Sequence, residues 1–178
     1  MASFFKIIRL ILISAVIFFL LLTAISLFFP SHVRLSRATN LAPGTGSVLQ
    51  QVADLNAWKK WHPFFENKEF KDTSSLNGKV VKATTDSIQL TVVLATDSLV
   101  TVKMQRGSRI VSSSWRIINY TTSDSLTLQN YMDFDFKWYP WEKFSSLLLE
   151  PSFGPVMEKG LTKLKTLADE SAIHPLTY

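Results

Sequence analysis

Apolar and polar positions change rhythm along this chain, and each rhythm predicts a different element. From Leu10 to Phe29 (LILISAVIFFLLLTAISLFF) no charge occurs, and only Ser14, Thr23 and Ser26 are polar. As a helix, such a run spans about 30 Å, the thickness of a bilayer's hydrocarbon core. The rival is a cleavable signal peptide with Lys6 and Arg9 as its charged start. Such a peptide has an apolar region of about 7–15 residues ending at small side chains. This run ends instead in Leu27-Phe28-Phe29 before the helix-stopping Pro30. An uncleaved transmembrane anchor over residues 1–30 is therefore favoured.

Beyond the anchor, HVRLSRATNL (32–41) alternates and predicts a first strand. Ala-Pro-Gly-Thr-Gly (42–46) is a turn. From Ser47 to Leu55, Val48, Val52 and Leu55 fall on one face of a short helix ending near Asn56, and NAWKKWHPFF follows. Strands then dominate from about Lys68 to Trp138. Ile88, Leu90, Val92 and Leu94 share one face of a strand over 87–96, Val100, Val102 and Met104 one face over 98–106, and Val111, Ser113, Trp115 and Ile117 one face over 110–119. Turn signals at Thr96-Asp97, Arg106-Gly107-Ser108 and Thr122-Ser123-Asp124 separate these runs, implying antiparallel hairpins. In SLTLQNYMDFDFKW the inward set is Leu126, Leu128, Asn130, Met132, Phe134, Phe136 and Trp138, and the outward set includes Asp133 and Asp135. One covered and one wet face suits an antiparallel sheet. Pro140 ends that ladder, and Trp141 to Leu149 reads as a short helical turn. A long helix opening at Pro151 or Ser152 carries Phe153, Val156, Met157, Gly160, Leu161, Leu164 and Leu167 or Ala168 at helical spacing. Its apolar stripe predicts packing on the sheet. Residues after Glu170 read as a tail.

The segment TNLAPGTGSVLQQVADLNAWKKWHPF (39–64), with Trp58, Trp61 and Pro63 in a W-x-x-W-x-P pattern, resembles the entry segment of the START-like (SRPBCC) superfamily. KWYPWEKF (137–144) and FGPVMEKGLTKLK (153–165) are similar to the end of its membrane-anchored bacterial members. The superfamily includes lipid-transfer domains, polyketide cyclase/dehydrase-like proteins and the birch-pollen allergen family, and the resemblance covers about residues 33 to 168. It implies an α+β helix-grip fold: a curved antiparallel sheet wrapped around a long C-terminal helix, here preceded by one transmembrane helix. The expected organisation is an anchor (1–30), a START-like domain (31–170) and a tail (171–178). Family members share a cavity between helix and sheet but differ in its use, and no catalytic motif is carried over.

Charge changes the picture little. Without Lys6 and Arg9, the 19 basic residues become 17 against 14 acidic. They are scattered, with Lys59-Lys60 the only adjacent basic pair, so no nucleic-acid surface is indicated. Lys6, Arg9 and the amino terminus precede the span while Arg34 and Arg37 follow it. The positive-inside rule thus favours a cytoplasmic N terminus, with the domain on the opposite side. The absence of cysteine excludes disulfides, thiolate metal sites and a cysteine nucleophile.

The inventory for catalysis is thin. His32, His62 and His174 show no metal-ligand spacing, and no G-x-S-x-G or phosphate-cradling loop occurs. Neither a metal nor any other cofactor is expected. Asp133 and Asp135 share a strand face, but the wet one, where nothing raises a carboxylate pKa. Polar residues among inward apolar ones say more. Asn130 lies between Leu128 and Met132, and Ser113 between Val111 and Trp115. A buried amide needs a partner, either an internal group or a ligand's polar end. The candidate cavity residues are Ser113, Trp115, Asn130, Met104, Met132 and Phe134, with Trp58 and Trp61 at its mouth or, alternatively, pinning the short helix to the sheet edge. Trp138, Tyr139 and Trp141 close the end of the sheet or, in another reading, touch the membrane interface. The favoured reading is non-catalytic binding of a hydrophobic small molecule or lipid by a membrane-anchored domain. The alternatives are a cyclase- or hydrolase-like enzyme using Asn130, Ser113 and His62, and an interaction module with a filled core.

Overall fold

The computed structural model describes residues 2–42, 48–119 and 126–173. The Ala-Pro-Gly-Thr-Gly turn from Pro43 on, the Thr122-Ser123-Asp124 turn and His174 lie outside the described residues. The chain divides into two compact units, one of residues Met1–Val33 and Asp135–Leu149, the other of Arg34–Phe134 and Glu150–Tyr178.

In the first unit, helix α1 (Ala2–Ser26) contains one stretch, Ser3–Ser26, long and apolar enough to cross a membrane. Phe18 and Leu20 are as exposed as Ile11 and Leu12, so its apolar surface continues around the helix. A helix apolar on all sides finds its partner in lipid or in other protein. The last turn tightens, with Leu27, Phe28 and Phe29 N–H donating to Ala24, Ile25 and Ser26 carbonyls, before Pro30 ends it. In the same unit, helix α4 (Pro140–Ser145) begins at Pro140, where a missing N–H costs nothing. A 3-10 turn, Ser146–Leu148, follows.

The second unit is built on a seven-stranded sheet in the order β1-β7-β6-β5-β4-β3-β2. The strands are β1 (His32–Leu41), β2 (Lys71–Leu76), β3 (Lys79–Thr84), β4 (Gln89–Ala95), β5 (Leu99–Arg106), β6 (Arg109–Asn119) and β7 (Leu126–Asp135). Neighbours from β2 through β7 are antiparallel. The first strand lies beside the last: Arg34 pairs with Asp133, at 2.6 Å from its Nε, and Thr127 donates to Asn40. With α5 (Leu149–Ile173), the long C-terminal helix, this is an α+β helix-grip fold with an apolar helix ahead of it.

Val100, Val102, Leu90, Trp115 and Leu128 face inward with Leu161, Leu164 and Ala168 of α5 in one buried cluster, as the alternation and the helical stripe predict. Two details of the strands differ from expectation. Leu94 is not on the inner face: a register shift between Val92 and Leu94 sets Leu94 opposite Thr101, and it is 43% exposed. One extra residue in a strand reverses every later side chain. Trp138 is not on the inner face of β7 either, because that strand stops at Asp135. The hairpin β2–β3 begins with a strand exposed throughout, which has no alternation to announce it. Its Asn77-Gly78 corner has positive φ at both residues (51° and 76°), the geometry a two-residue hairpin needs.

The short helix is also broken where a continuous one was expected. Helix α2 (Val48–Ala53) stops at Asp54, whose carboxylate accepts from Asn56 N–H and from Val80 N–H. A 3-10 turn, Leu55–Ala57, and helix α3 (Trp58–Trp61) follow. The long helix continues past Glu170 to Ile173.

Candidate functional site

Between α5 and the sheet lies a cleft lined by three strands, the α3 exit turn and one helix face. Strand register places the polar groups. Trp115 stands opposite Asn130, and Ser113 opposite Met132. Inward side chains on diagonal positions of paired strands come within reach of one another, and Asn130 Nδ2 donates to Ser113 Oγ at 3.0 Å and to the Ser114 carbonyl at 3.2 Å. Asn130 and Ser113 are both buried, at 1% and 2% exposure, so these bonds offset a desolvation cost on the order of 1–3 kcal/mol. Ser114 faces the other way and meets Thr101 Oγ1 at 3.0 Å.

Around this polar pair the wall consists of Met104, Met132, Trp115, Phe64, Phe153, Val156, Met157, Gly160 and His62. The enclosed space is only about 10 Å³, close to the minimum for a single water. The cavity expected around Ser113, Trp115 and Asn130 is therefore not open. Trp115 meets Trp61 edge-on, with centroids 5.2 Å apart, and the pliant methionines occupy the rest. Their three rotatable bonds also make them the side chains most readily displaced.

His62 is set by α3. It stacks flat on Trp58, centroids 4.7 Å apart, and its Nδ1 accepts from Phe64 N–H at 3.3 Å. That acceptor role puts the ring proton on Nε2. Burial pushes its pKa down to about 3, since the imidazolium would lose its hydration. At neutral pH the ring is thus a neutral donor and too weak a base for general-base work. The buried indole Nε1 groups of Trp61 and Trp115 have no hydrogen-bond acceptor.

Of the sequence-derived candidates, Ser113, Trp115, Asn130, Met104 and Met132 come together on the cleft wall. Phe134 packs against Phe153 at 5.0 Å without lining the space. Trp58 and Trp61 are fully buried outside the lining, and Trp58 Nε1 donates to the Val52 carbonyl at 2.8 Å. The candidate set lacked Phe153, Val156, Met157 and Gly160, although the helical stripe already held all four. It also lacked Phe64, and His62 entered only through the enzyme alternative; the path of the chain after Trp61 brings both to the cleft. Asp133 and Asp135 do not line the cleft: the first binds Arg34 and the second His32 Nδ1 at 2.9 Å. Among the described residues, no three His, Asp or Glu side chains gather as a metal-binding group.

A second, open cleft of about 340 Å³ lies among Phe65, Asn67, Lys68, Glu69, Lys71, Thr85 and Asp86. Two of its charged residues, Lys71 and Asp86, pair with each other at 2.9 Å. It is a polar surface depression rather than an enclosed site.

Comparison with known proteins bears on the fold that holds the first cleft. The family model described as "Polyketide cyclase / dehydrase and lipid transport" matches residues 32–169. No curated protein matches the sequence. Among solved structures, the ZhuI aromatase/cyclase from Streptomyces sp. R1128 aligns with a TM-score of 0.54 at 14% identity, covering 79% of this chain and 96% of that one. A START superfamily protein from Mycobacterium smegmatis aligns at 0.51 and 17% identity, covering 77% and 97%. Truncated norcoclaurine synthase from Thalictrum flavum aligns at 0.51 and 13%, covering 76% and 92%. Identities this low carry the fold alone.

Proposed function

The chain belongs to the polyketide cyclase / dehydrase and lipid transport family, and from that premise we propose that it is a membrane-anchored, non-catalytic binder of an apolar small molecule or lipid. The site is the seam between α5 and the sheet. One observation carries the reading: an otherwise apolar, methionine-lined seam holds a buried polar pair, Asn130 and Ser113, beside the unpartnered indole N–H of Trp115. Most of a ligand's surface would meet apolar wall while a few polar groups fix its orientation. A carbonyl or hydroxyl on the ligand suits Trp115 Nε1, which only donates.

Absence of catalysis is supported by the lining. It contains no carboxylate, no cysteine and no lysine, and its one histidine is a neutral donor. The helix α1 supplies the anchor, with its N terminus on the cytoplasmic side as the flanking basic residues favour. A filled core is the second reading, favoured by the 10 Å³ volume. Ligand entry then requires Met104, Met132 and Met157 to move aside.

The two readings separate on titration of the full chain in nanodiscs with 1-aminoanthracene, monitored by tryptophan quenching. Saturable binding is expected in the parent. Ser113→Trp should abolish it by filling the seam, and Asn130→Leu should change affinity several-fold while the far-UV spectrum stays unchanged. Identical titrations for all three proteins would leave the filled core.

A further inference from the structure

The first unit displays apolar side chains that no packing in the fold requires. Trp138 and Trp141 are 60% and 61% exposed, Leu147 and Leu148 58% and 64%, and Leu27 and Phe28 more so still. They are not scattered. Trp141, Phe144, Leu147 and Leu148 recur at i, i+3, i+6 and i+7 through α4 and the turn after it, which is one face of a helix. Tyr139 joins that face, stacked parallel on Trp141 with centroids 5.0 Å apart, and Trp138 lies 4.8 Å from Tyr139.

What covers this face is indicated by what the segment is fastened to. Lys143, 5% exposed, donates from Nζ to the Phe29 carbonyl at 2.8 Å and to Ser31 Oγ at 2.6 Å. Phe136 N–H donates to the Ser31 carbonyl at 2.7 Å, and Phe144 meets Phe29 edge-on at 5.3 Å. A buried lysine satisfied by a carbonyl just past the end of α1 is a specific clamp rather than a chance contact. Phe144, half-buried, lies on the same helical face as the exposed Trp141, Leu147 and Leu148 and also touches Phe29 beyond the end of α1. The face is thus continuous with the terminus of a helix whose own apolar surface suits lipid.

We propose that residues 138–148 form an in-plane membrane-interface element, clamped to the end of the span by Lys143 and dipping Trp138, Tyr139, Trp141, Leu147 and Leu148 into the headgroup boundary. Trp and Tyr favour that depth because the ring is apolar while the N–H or O–H stays hydrated. A short amphipathic helix beside a span needs little affinity of its own, since the span already holds it at the surface. The inference rests on α1 being a membrane anchor, and the test reports on that separately.

Because the chain has no cysteine, single-cysteine variants carry one label each. Trp141→Cys and Leu148→Cys, both at exposed positions, and Ser75→Cys on exposed β2 would be spin-labelled in full-length protein. Reconstitution would use vesicles of phosphatidylcholine and phosphatidylglycerol, and collision with oxygen would be compared with collision with a water-soluble nickel chelate. The expected result is an oxygen-to-nickel ratio several-fold higher at 141 and 148 than at 75. Equal ratios at all three sites, with the protein resisting carbonate extraction, would overturn the interface element and leave the anchor standing. Release by carbonate would overturn the anchor and the inference with it.

Discussion

Trp58, Trp61 and Trp115 on one side, and Trp138 and Trp141 on the other, are the same residue in opposed settings. The first three are at 0%, 0% and 2% exposure and form a connected ring cluster with His62 and Phe65. The other two are about three-fifths exposed and pack against Tyr139, Trp141 stacked and Trp138 tilted, rather than in a core. The cluster binds α2 and α3 into the second unit, where Trp58 ties its indole to the end of α2 and Trp61 braces Trp115 on β6. The exposed pair leaves most of its ring surface uncovered beyond Tyr139. The difference teaches that ring surface here has two uses, one in making the helix-grip core and the other in meeting something outside the fold.

Mutation separates these uses most sharply at the rings themselves. Trp61→Ala should lower stability by about 3–5 kcal/mol, the usual cost of emptying a large aromatic site. Trp141→Ala should leave the melting temperature of the protein in detergent nearly unchanged. Equal losses in thermal denaturation would mean that the exposed rings are core after all.

Next in size is the long helix. Leu164→Ala, at 0% exposure, should cost about 2–5 kcal/mol. Its neighbour Lys163 reaches out to Glu66 at 2.8 Å in a partly exposed pair. Such pairs contribute little, so Lys163→Ala should behave as a surface change. A loss at Lys163 matching that at Leu164 would show the helix rotated from the position described.

His62 gives a smaller and pH-dependent effect. Its folded pKa of about 3 lies below the unfolded value near 6.5. Its contribution is complete above pH 6.5 and is lost as pH falls from 6.5 towards 3, because only the unfolded state takes up the proton there. The loss is about 1.4 kcal/mol per pH unit, or about 2 kcal/mol by pH 5. Chemical denaturation at pH 7 and pH 5 should therefore show a steeper decline in the parent than in His62→Gln. Parallel declines would place water at the ring and remove it from the dry cluster.

Much of this was legible from side-chain order alone, because burial imposes a period on any element with one covered face. The inward faces of β5, β6 and β7 and the Leu161–Leu164 stripe of α5 follow from that rule, while α1 is legible from its uncharged length. Side-chain order also marks Asn130 as an amide in need of a partner, but only the fold supplies Ser113 and the Ser114 carbonyl. Periodicity assumes that an element continues unbroken, and tertiary structure decides where it does not. The bulge that turns Leu94 outward, the end of β7 at Asp135 that frees Trp138, and the break at Asp54 are set by neighbouring strands and by Val80 N–H. The space beside Ser113 belongs to the same class. Its size depends on how Trp61, Trp115 and the methionines of separate elements fill a shared volume, and no single element's sequence contains that sum. The same holds for the clamp from Lys143 to the Phe29 carbonyl, which joins residues 114 positions apart.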